Sequence, residues 1–179
     1  FDNNNYNNNN YFKNIFKSEI QQKFSLKNIA EQKFNNIAEE IFKSKKEFYF
    51  DQYTYSLLRH NDENLISELY YQIQSNESSI NELSRKYSQG AEKSRLGVIG
   101  PVNLSNIHNK IATILINCDI GVVNEPIKIN DLWFVIQKES YKSAIFNDEY
   151  KSQICNQLLQ KELEIEFNQF LKIHNINFS

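Results

Sequence analysis

The segment KYSQGAEKSRLGVIGP, at positions 86–101, contains three of the chain's four glycines and one of its two prolines. Glycine allows backbone conformations with positive φ and lets a neighbouring chain approach closely, whereas proline fixes its own φ. A cluster of both, in a chain that otherwise almost lacks them, predicts one loop of defined shape rather than a flexible linker. The elements on either side of this loop therefore decide the fold.

The composition is that of an ordinary globular protein. The 179 residues suffice for one compact domain with helical extensions, and a net charge of −2 provides no basic surface for nucleic acid. The longest apolar runs, such as IATILI, are too short to cross a bilayer, so no transmembrane segment is expected. The three histidines and two cysteines do not have metal-site spacing. Neither a metal nor another cofactor is therefore expected.

Cysteine usage bears on the compartment. Cys118 and Cys155 are the only cysteines, and two buried free thiols are a better interpretation than a disulfide. Free thiols suit a reducing compartment and predict a cytoplasmic location. The chain does not begin with Met, so it is a candidate fragment of a longer precursor. The alternative is a periplasmic or other extracytoplasmic location, if a signal peptide has been removed.

The N-terminal part of the chain has helical patterns. Residues 1–10 form an Asn-rich, low-complexity tail that is expected to be disordered or loosely held. Apolar residues then recur at helical spacing, weakly over 12–20 and strongly over 26–42. Ser25 is the expected N-cap of the stronger helix. These patterns predict an N-terminal helical arm over 11–50.

The C-terminal part, residues 141–179, predicts a second arm. Its apolar stripe runs over about 148–174, which corresponds to a helix about 40 Å long. A helix of that length exceeds the width of a small domain and needs a partner. The two arms are therefore expected to pack together.

Strands and short helices alternate in the middle of the chain. The stretches YTYSLL (53–58) and DLWFVIQK (131–138) are rich in β-branched and aromatic residues and predict strands. Short helices are predicted between them, over 65–73, after 79 and over 107–115. The local signals for helix ends are Asn61 or Asp62 as an N-cap, the S-x-x-E capping box of Ser79 and Glu82, and Gly90 as a C-cap glycine.

These stretches resemble the parvulin-type peptidyl-prolyl isomerases. The resemblance rests on INELSRKYSQG, RLGVIGP, IHNKIATIL and GVVNEPIKINDLWFVIQK, and it covers about residues 51–140. It implies an α+β fold, in which a four-stranded antiparallel sheet with flanking helices is inserted between the two arms. YSLLRHNDENLISELYYQIQ and GVIGPVNL are similar to one bacterial subgroup, whose members are encoded beside haemolysin-type secretion transporters.

The resemblance implies a function in protein folding. Parvulins accelerate cis–trans isomerisation of X–Pro bonds in client polypeptides, and the implied partner is an unfolded or extended client, such as the substrate of a secretion transporter. Rotation about a partial double bond breaks no covalent bond, so no nucleophile or metal is required. The alternative function is a non-catalytic chaperone or assembly factor that uses the same groove to hold unfolded chain.

Site residues follow from the resemblance position by position. The implied proline pocket consists of Leu96, Ile99, Leu104 and His108. The resemblance also implies that Ser56 and Phe134 stand where the family has two facing histidines. Asp131 stands where a Ser or Thr hydroxyl usually hydrogen-bonds with that pair. Gly90 stands where a Cys or Asp is usual. From the residues alone, the apolar members of both sets are better explained as core, and His108 as a partly exposed helix residue.

The departures from the family pattern predict weak catalysis. Neither histidine is kept, and Gly90 carries no side chain. The paired histidines of the family hold the fold and tune the pocket rather than attack the substrate, so binding is expected to survive their loss better than turnover does.

Overall fold

The computed structural model describes residues 4–173, with side chains described for 21–170, 172 and 173. Within that range the helices and strands are, in order, α1 (Asn4–Lys45), β1 (Gln52–His60), α2 (Glu63–Gln74), α3 (Ile80–Tyr87), β2 (Val98–Val102), α4 (Asn109–Asn117), β3 (Ile127–Ile129), β4 (Leu132–Lys142) and α5 (Asp148–Ile173). They form two compact units. The residues up to 44 and those from 145 onward make a helical unit, and residues 45–144 make an α+β unit.

In the helical unit, α1 packs against α5. The ring of Phe42 lies 5.3 Å from that of Phe146 and 5.5 Å from that of Tyr150, measured between centroids. Further buried contacts come from small and aliphatic residues, which are Ala30, Ala38, Ile154, Cys155 and Leu159. Alanines on α1 allow the two helices to approach closely.

Helix α1 differs from the sequence prediction. It is one helix from Asn4 to Lys45, so Ser25 lies inside it and is not an N-cap. The predicted Asn-rich tail is helical from Asn4 onward. Because the first glycine is Gly90 and the first proline is Pro101, no residue in this region forces a break. At the other end, α5 begins at Asp148 as predicted, and His174 lies outside the described residues.

The α+β unit is built on a four-stranded sheet of order β2-β1-β4-β3. All three strand pairs are antiparallel, and β1 and β4 are the central neighbours. The predicted α+β class, with a four-stranded antiparallel sheet and helices at both ends of the chain, is confirmed. The loop at 86–101 also ends as expected, in the short edge strand β2.

Local signals place the helices around the sheet. Asp62 caps α2 and accepts hydrogen bonds from the N–H groups of Asn64 and Leu65, and Ser79 and Glu82 form the predicted capping box of α3. The prediction for Gly90 was wrong, since α3 ends at Tyr87 and its C-cap is Ser88.

Asp51 fixes the two ends of the α+β unit to each other. Its side chain is buried and accepts hydrogen bonds from Tyr141 Oη at 2.6 Å and from the Ala144 N–H at 2.7 Å. Lys46 Nζ lies 3.0 Å from the same carboxylate, and this contact raises the pKa of Lys46. These contacts tie the start of β1 to the segment that follows β4, and hydrogen bonds to a charged acceptor are stronger than neutral ones.

Among the described residues, none of the helices combines the length and the apolar character that a membrane span needs.

Candidate substrate-binding face

The central strands β1 and β4 have two buried faces that differ in their neighbours. One face packs on α4 and forms a cluster that we call the α4-side cluster, whose buried members are Tyr53, Tyr55, Leu57, Leu104, Ile111, Ala112, Leu115, Ile129, Phe134 and Ile136. The other face packs on α2 and α3, through Leu58 and Val135 among others. Successive side chains of a strand point to opposite faces, which explains this division.

Three of the predicted site residues come together on the α4 side. Phe134 belongs to β4, and Leu104 comes from a 3-10 turn (Leu104–Asn106) after β2. Both are buried members of the α4-side cluster, and Ile99 of β2 is partly buried against it. Leu104 and Phe134 form the buried layer behind Ile99, and the accessible part of Ile99 can desolvate a proline ring placed against it.

The expected pair of Ser56 and Phe134 is wrong, because the two side chains lie on opposite faces of the sheet. Ser56 faces α3, where its Oγ accepts a hydrogen bond from Asn81 Nδ2 at 2.9 Å and donates one to Glu139 at 2.5 Å. Ser56 is fully buried, so these contacts are structural. It cannot reach a substrate on the α4 side together with Phe134.

The remaining predicted residues are exposed and do not belong to the α4-side cluster. Leu96 is 46% exposed and has a left-handed backbone, with φ of 56°. His108 is the N-cap of α4, and its Nδ1 accepts a hydrogen bond from the Lys110 N–H at 3.2 Å. Asp131 is exposed in the turn between β3 and β4. The structure therefore supports a capping role for His108 and none of the polar contacts expected for Asp131.

An ion pair that the sequence did not reveal lies beside β1. Arg59 donates from Nε and Nη2 to the two carboxylate oxygens of Glu92, at 3.0 and 2.8 Å. The Glu92 side chain is only 4% exposed, and Ser88 Oγ also donates to it. Bidentate geometry and burial make this pair strong enough to hold the loop against the strand. Because the two residues are 33 positions apart, no local sequence pattern predicts the pair.

Gly90 is explained by the same ion pair. A Cβ atom added to Gly90 would lie 1.8 Å from Arg59 Nη2, so a side chain there would displace the guanidinium. The position that a Cys or Asp occupies in the family is here filled by Arg59 packing over the backbone. Glu92, two residues further on, carries the carboxylate of this loop.

Tyr55 is a further residue that the sequence patterns did not indicate. It is 3% exposed on the α4 side, and burial, with a smaller contribution from Glu92, raises its pKa from 10.0 to about 12. The phenol therefore remains protonated at neutral pH and can donate a hydrogen bond. Shifting the match of β1 to the family by one residue would have placed the first histidine position on Tyr55 instead of Ser56. Such a shift moves every side chain to the other face of the sheet.

Stability should fall as the pH rises from about 10 towards 12. In the folded protein, burial raises the pKa of both Tyr53 and Tyr55 from 10.0 to about 12. The unfolded chain loses these phenolic protons first, so deprotonation in this window favours unfolding. Urea midpoints measured at about pH 9 and about pH 11 should differ less in the Tyr53→Phe/Tyr55→Phe double variant than in the wild type. Equal differences would contradict this assignment.

A cleft of about 380 Å³ opens on the other side of the sheet. It lies between the α2–α3 turn and residues 121–123, and its lining combines the aliphatic Ile73, Ile80 and Val123 with neutral amides and hydroxyls. It offers a second place for a ligand, which an experiment must distinguish from the α4 side.

The model of the PPIC-type PPIase domain, or rotamase, matches residues 51–140, which is about half of the chain. The chain belongs to the PPIC-type PPIase family. The matched range includes the whole sheet except the last two residues of β4, so the PPIC-type domain and the α+β unit coincide closely. No curated protein matches the chain.

Solved structures similar to this PPIC-type protein share its fold. The peptidylprolyl isomerase PrsA from Bacillus anthracis has a TM-score of 0.55 at 21% identity, over 96% of this chain and 82% of that one. Foldase protein PrsA from Streptococcus pneumoniae has a TM-score of 0.59 at 16% identity, and the match covers 87% of this chain but only 60% of that one. A structure described with the SurA-like chaperones PEB4 and Cj1289 of Campylobacter jejuni has a TM-score of 0.51 at 17% identity, over 91% of this chain and 73% of that one.

Proposed function

We propose that this protein is a slow prolyl isomerase that binds extended segments of client polypeptides at the α4-side cluster. The observation that carries the proposal is the convergence of Ile99, Leu104 and Phe134 on one side of the sheet, inside the range that matches the PPIC-type domain. The foldase and chaperone names of the similar structures agree with a polypeptide substrate. We further propose, as the sequence resemblance suggested, that exported proteins are among the clients and that the protein acts in the cytoplasm.

The chemistry requires only that the twisted amide be bound better than either planar form. Its rotation barrier is about 18–20 kcal/mol because the C–N bond has partial double-bond character. An apolar surface removes water from the planar amide and favours the less polar, twisted one. Since Arg59 and Glu92 neutralise each other beside this surface, an apolar residue before the proline suits it better than a charged one.

Catalysis should be weak because Phe134 and Gly90 stand at polar positions of the family. A hydrogen bond made mainly in the transition state is worth a factor of about 10² or more when lost from a preorganised site. The apolar part of the surface is retained, so binding should suffer less than turnover.

Catalysis can be measured with a protease-coupled assay on tetrapeptides that differ in the residue before proline. We expect a rate above the spontaneous one at high protein concentration, greatest with Leu or Phe before proline. Ile99→Asp should abolish the effect, because it places a charge on the desolvating surface. The matched control is Val123→Asp, which changes another partly buried aliphatic residue of the sheet edge, on the face of the 380 Å³ cleft.

The outcomes separate the two faces and the two functions. Loss of activity in Val123→Asp but not in Ile99→Asp would move the binding site to the cleft. A wild-type protein that binds the peptides and leaves their isomerisation at the spontaneous rate would contradict the isomerase proposal. The second candidate, a chaperone without catalytic activity, would then stand; the replacement of the family's histidines is the observation that favours it.

A further inference from the structure

Tyr55 occupies an irregular point of the sheet. In the pairing of β1 with β4, the register shifts between Thr54 and Tyr55. In the pairing of β1 with β2, it shifts between Tyr53 and Tyr55. Both neighbouring strands thus have an extra residue next to Tyr55. Bulges re-aim side chains and are frequent beside active sites.

The surroundings of Tyr55 are those of the proposed substrate-binding surface. Its direct partner across β1 and β2 is Ile99, and it shares the α4-side cluster with Leu104 and Phe134. Its phenol interacts electrostatically with Glu92 and Arg59. The hydroxyl therefore points towards the loop at 86–101, which contains Glu92, and not towards Gln52, where β1 begins.

The Tyr55 hydroxyl is available to a ligand. Among the described residues, Asn124 Nδ2 is the one buried side-chain nitrogen or oxygen without a hydrogen-bond partner. None of the described residues forms a hydrogen bond with the Tyr55 hydroxyl, and yet the oxygen is not among the buried unpaired atoms. The ring is therefore buried while its oxygen remains accessible to solvent.

We infer that the Tyr55 hydroxyl is a catalytic hydrogen-bond donor to the proline nitrogen of the twisted X–Pro bond, an inference that rests on the proposed isomerase function. In the planar amide the nitrogen lone pair is shared with the carbonyl and accepts hydrogen bonds poorly. As the bond rotates, the lone pair returns to the nitrogen and becomes an acceptor. The donor is therefore used in the transition state and not in the ground state, which is the condition for acceleration.

The proton balance of this step is simple. No covalent bond forms or breaks, and the proton stays on the Tyr55 oxygen throughout. The raised pKa of Tyr55, about 12, keeps that proton in place at neutral pH, so the contribution should not change between about pH 6 and 9.

The test compares Tyr55→Phe with Tyr70→Phe. Tyr70 is the control, because it belongs to α2 and packs against the cluster on the α2–α3 face of the sheet, where its Oη accepts a hydrogen bond from Gln74 Nε2 at 3.1 Å. We expect Tyr55→Phe to lower kcat/KM about tenfold, the effect of one neutral hydrogen bond made only in the transition state. Peptide affinity and thermal stability should remain close to those of the wild type, and Tyr70→Phe should keep full activity.

Four results would overturn the inference. Equal turnover of wild type and Tyr55→Phe would refute the role of the hydroxyl and leave the isomerase function intact. A parallel loss in Tyr70→Phe, or a loss of peptide affinity equal to the loss of turnover, would indicate packing rather than hydrogen bonding. An inactive wild-type protein would refute the isomerase function itself, and this inference with it.

Discussion

Replacing Gly97 with Ala should destabilise the protein by about 3 kcal/mol or more. Gly97 has φ of +79°, and a Cβ atom there would lie 2.5 Å from Ser84 Oγ and 2.6 Å from the backbone oxygen of Leu57. The Leu57 oxygen belongs to a central strand and already accepts a hydrogen bond from Ser84 at 2.7 Å, so neither neighbour can move cheaply. The left-handed conformation and the clash add to each other.

Gly121→Ala is the matched control, because it separates the two costs. Gly121 has nearly the same φ, +82°, and a Cβ atom there would meet no atom within 4 Å. Only the cost of placing a non-glycine residue in the left-handed region remains, which is about 1–2 kcal/mol. The difference between the two variants therefore measures the close approach of the loop to β1.

Urea denaturation, followed by circular dichroism, gives both free energies of unfolding. The loop at 86–101 should also lose its attachment in Gly97→Ala, because the Leu57 N–H donates to the Gly97 oxygen at 2.9 Å. Similar losses of stability in the two variants would show that the loop does not press on the strand. This experiment tests directly why glycine is concentrated in one segment.

Local sequence signals predicted the α+β unit well. The capping box of Ser79 and Glu82, the N-cap at Asp62 and the strand at 131–138 depend on interactions between residues close in sequence. Such interactions survive into the fold because tertiary contacts do not oppose them. The Gly-rich loop was also recognised, since positive φ at Gly97 and Gly100 is a local requirement.

The face of Ser56 could not be predicted in the same way. YTYSLL is buried on both sides, as a central strand is, so its apolar residues do not alternate with polar ones and do not fix which side faces α4. A one-residue difference in alignment then exchanges Ser56 for Tyr55. Two of the predicted pocket residues, Leu104 and Ile99, lie outside this strand, and their position on the α4 side does not depend on its alignment.

Long-range contacts account for the other differences. Gly90 was interpreted as a helix C-cap, whereas the reason for glycine there is the guanidinium of Arg59, which is distant in sequence. Of the two thiols expected to be buried, Cys155 is buried and Cys118 is only partly so, and neither is in a disulfide. Burial raises the pKa of Cys155, so this thiol should be unreactive.

Ile154→Asp should destabilise the helical unit by about 3–5 kcal/mol, because it buries an unpaired carboxylate. Ile154 is 2% exposed in the contact between α5 and α1. The substitution destabilises the packing of α5 on α1 and leaves the length of α5 unchanged. The ring contacts of Phe42 with Phe146 and Tyr150 should persist until the two helices separate.

The control for this change is Ile165→Asp, on the same helix and with the same chemistry. Ile165 is 50% exposed, so its replacement should cost no more than about 1 kcal/mol. Helix content in increasing urea, together with binding of a hydrophobic dye, distinguishes separation of the helices from a small loss of propensity. If the two variants unfold at the same urea concentration, the apolar contact between α1 and α5 does not stabilise the unit. The helices would then have to be held by exposed ion pairs such as Lys33 with Glu162. Each such pair contributes at most about 1 kcal/mol, because solvent screens it. The buried apolar contact is therefore the larger source of stability that this comparison measures.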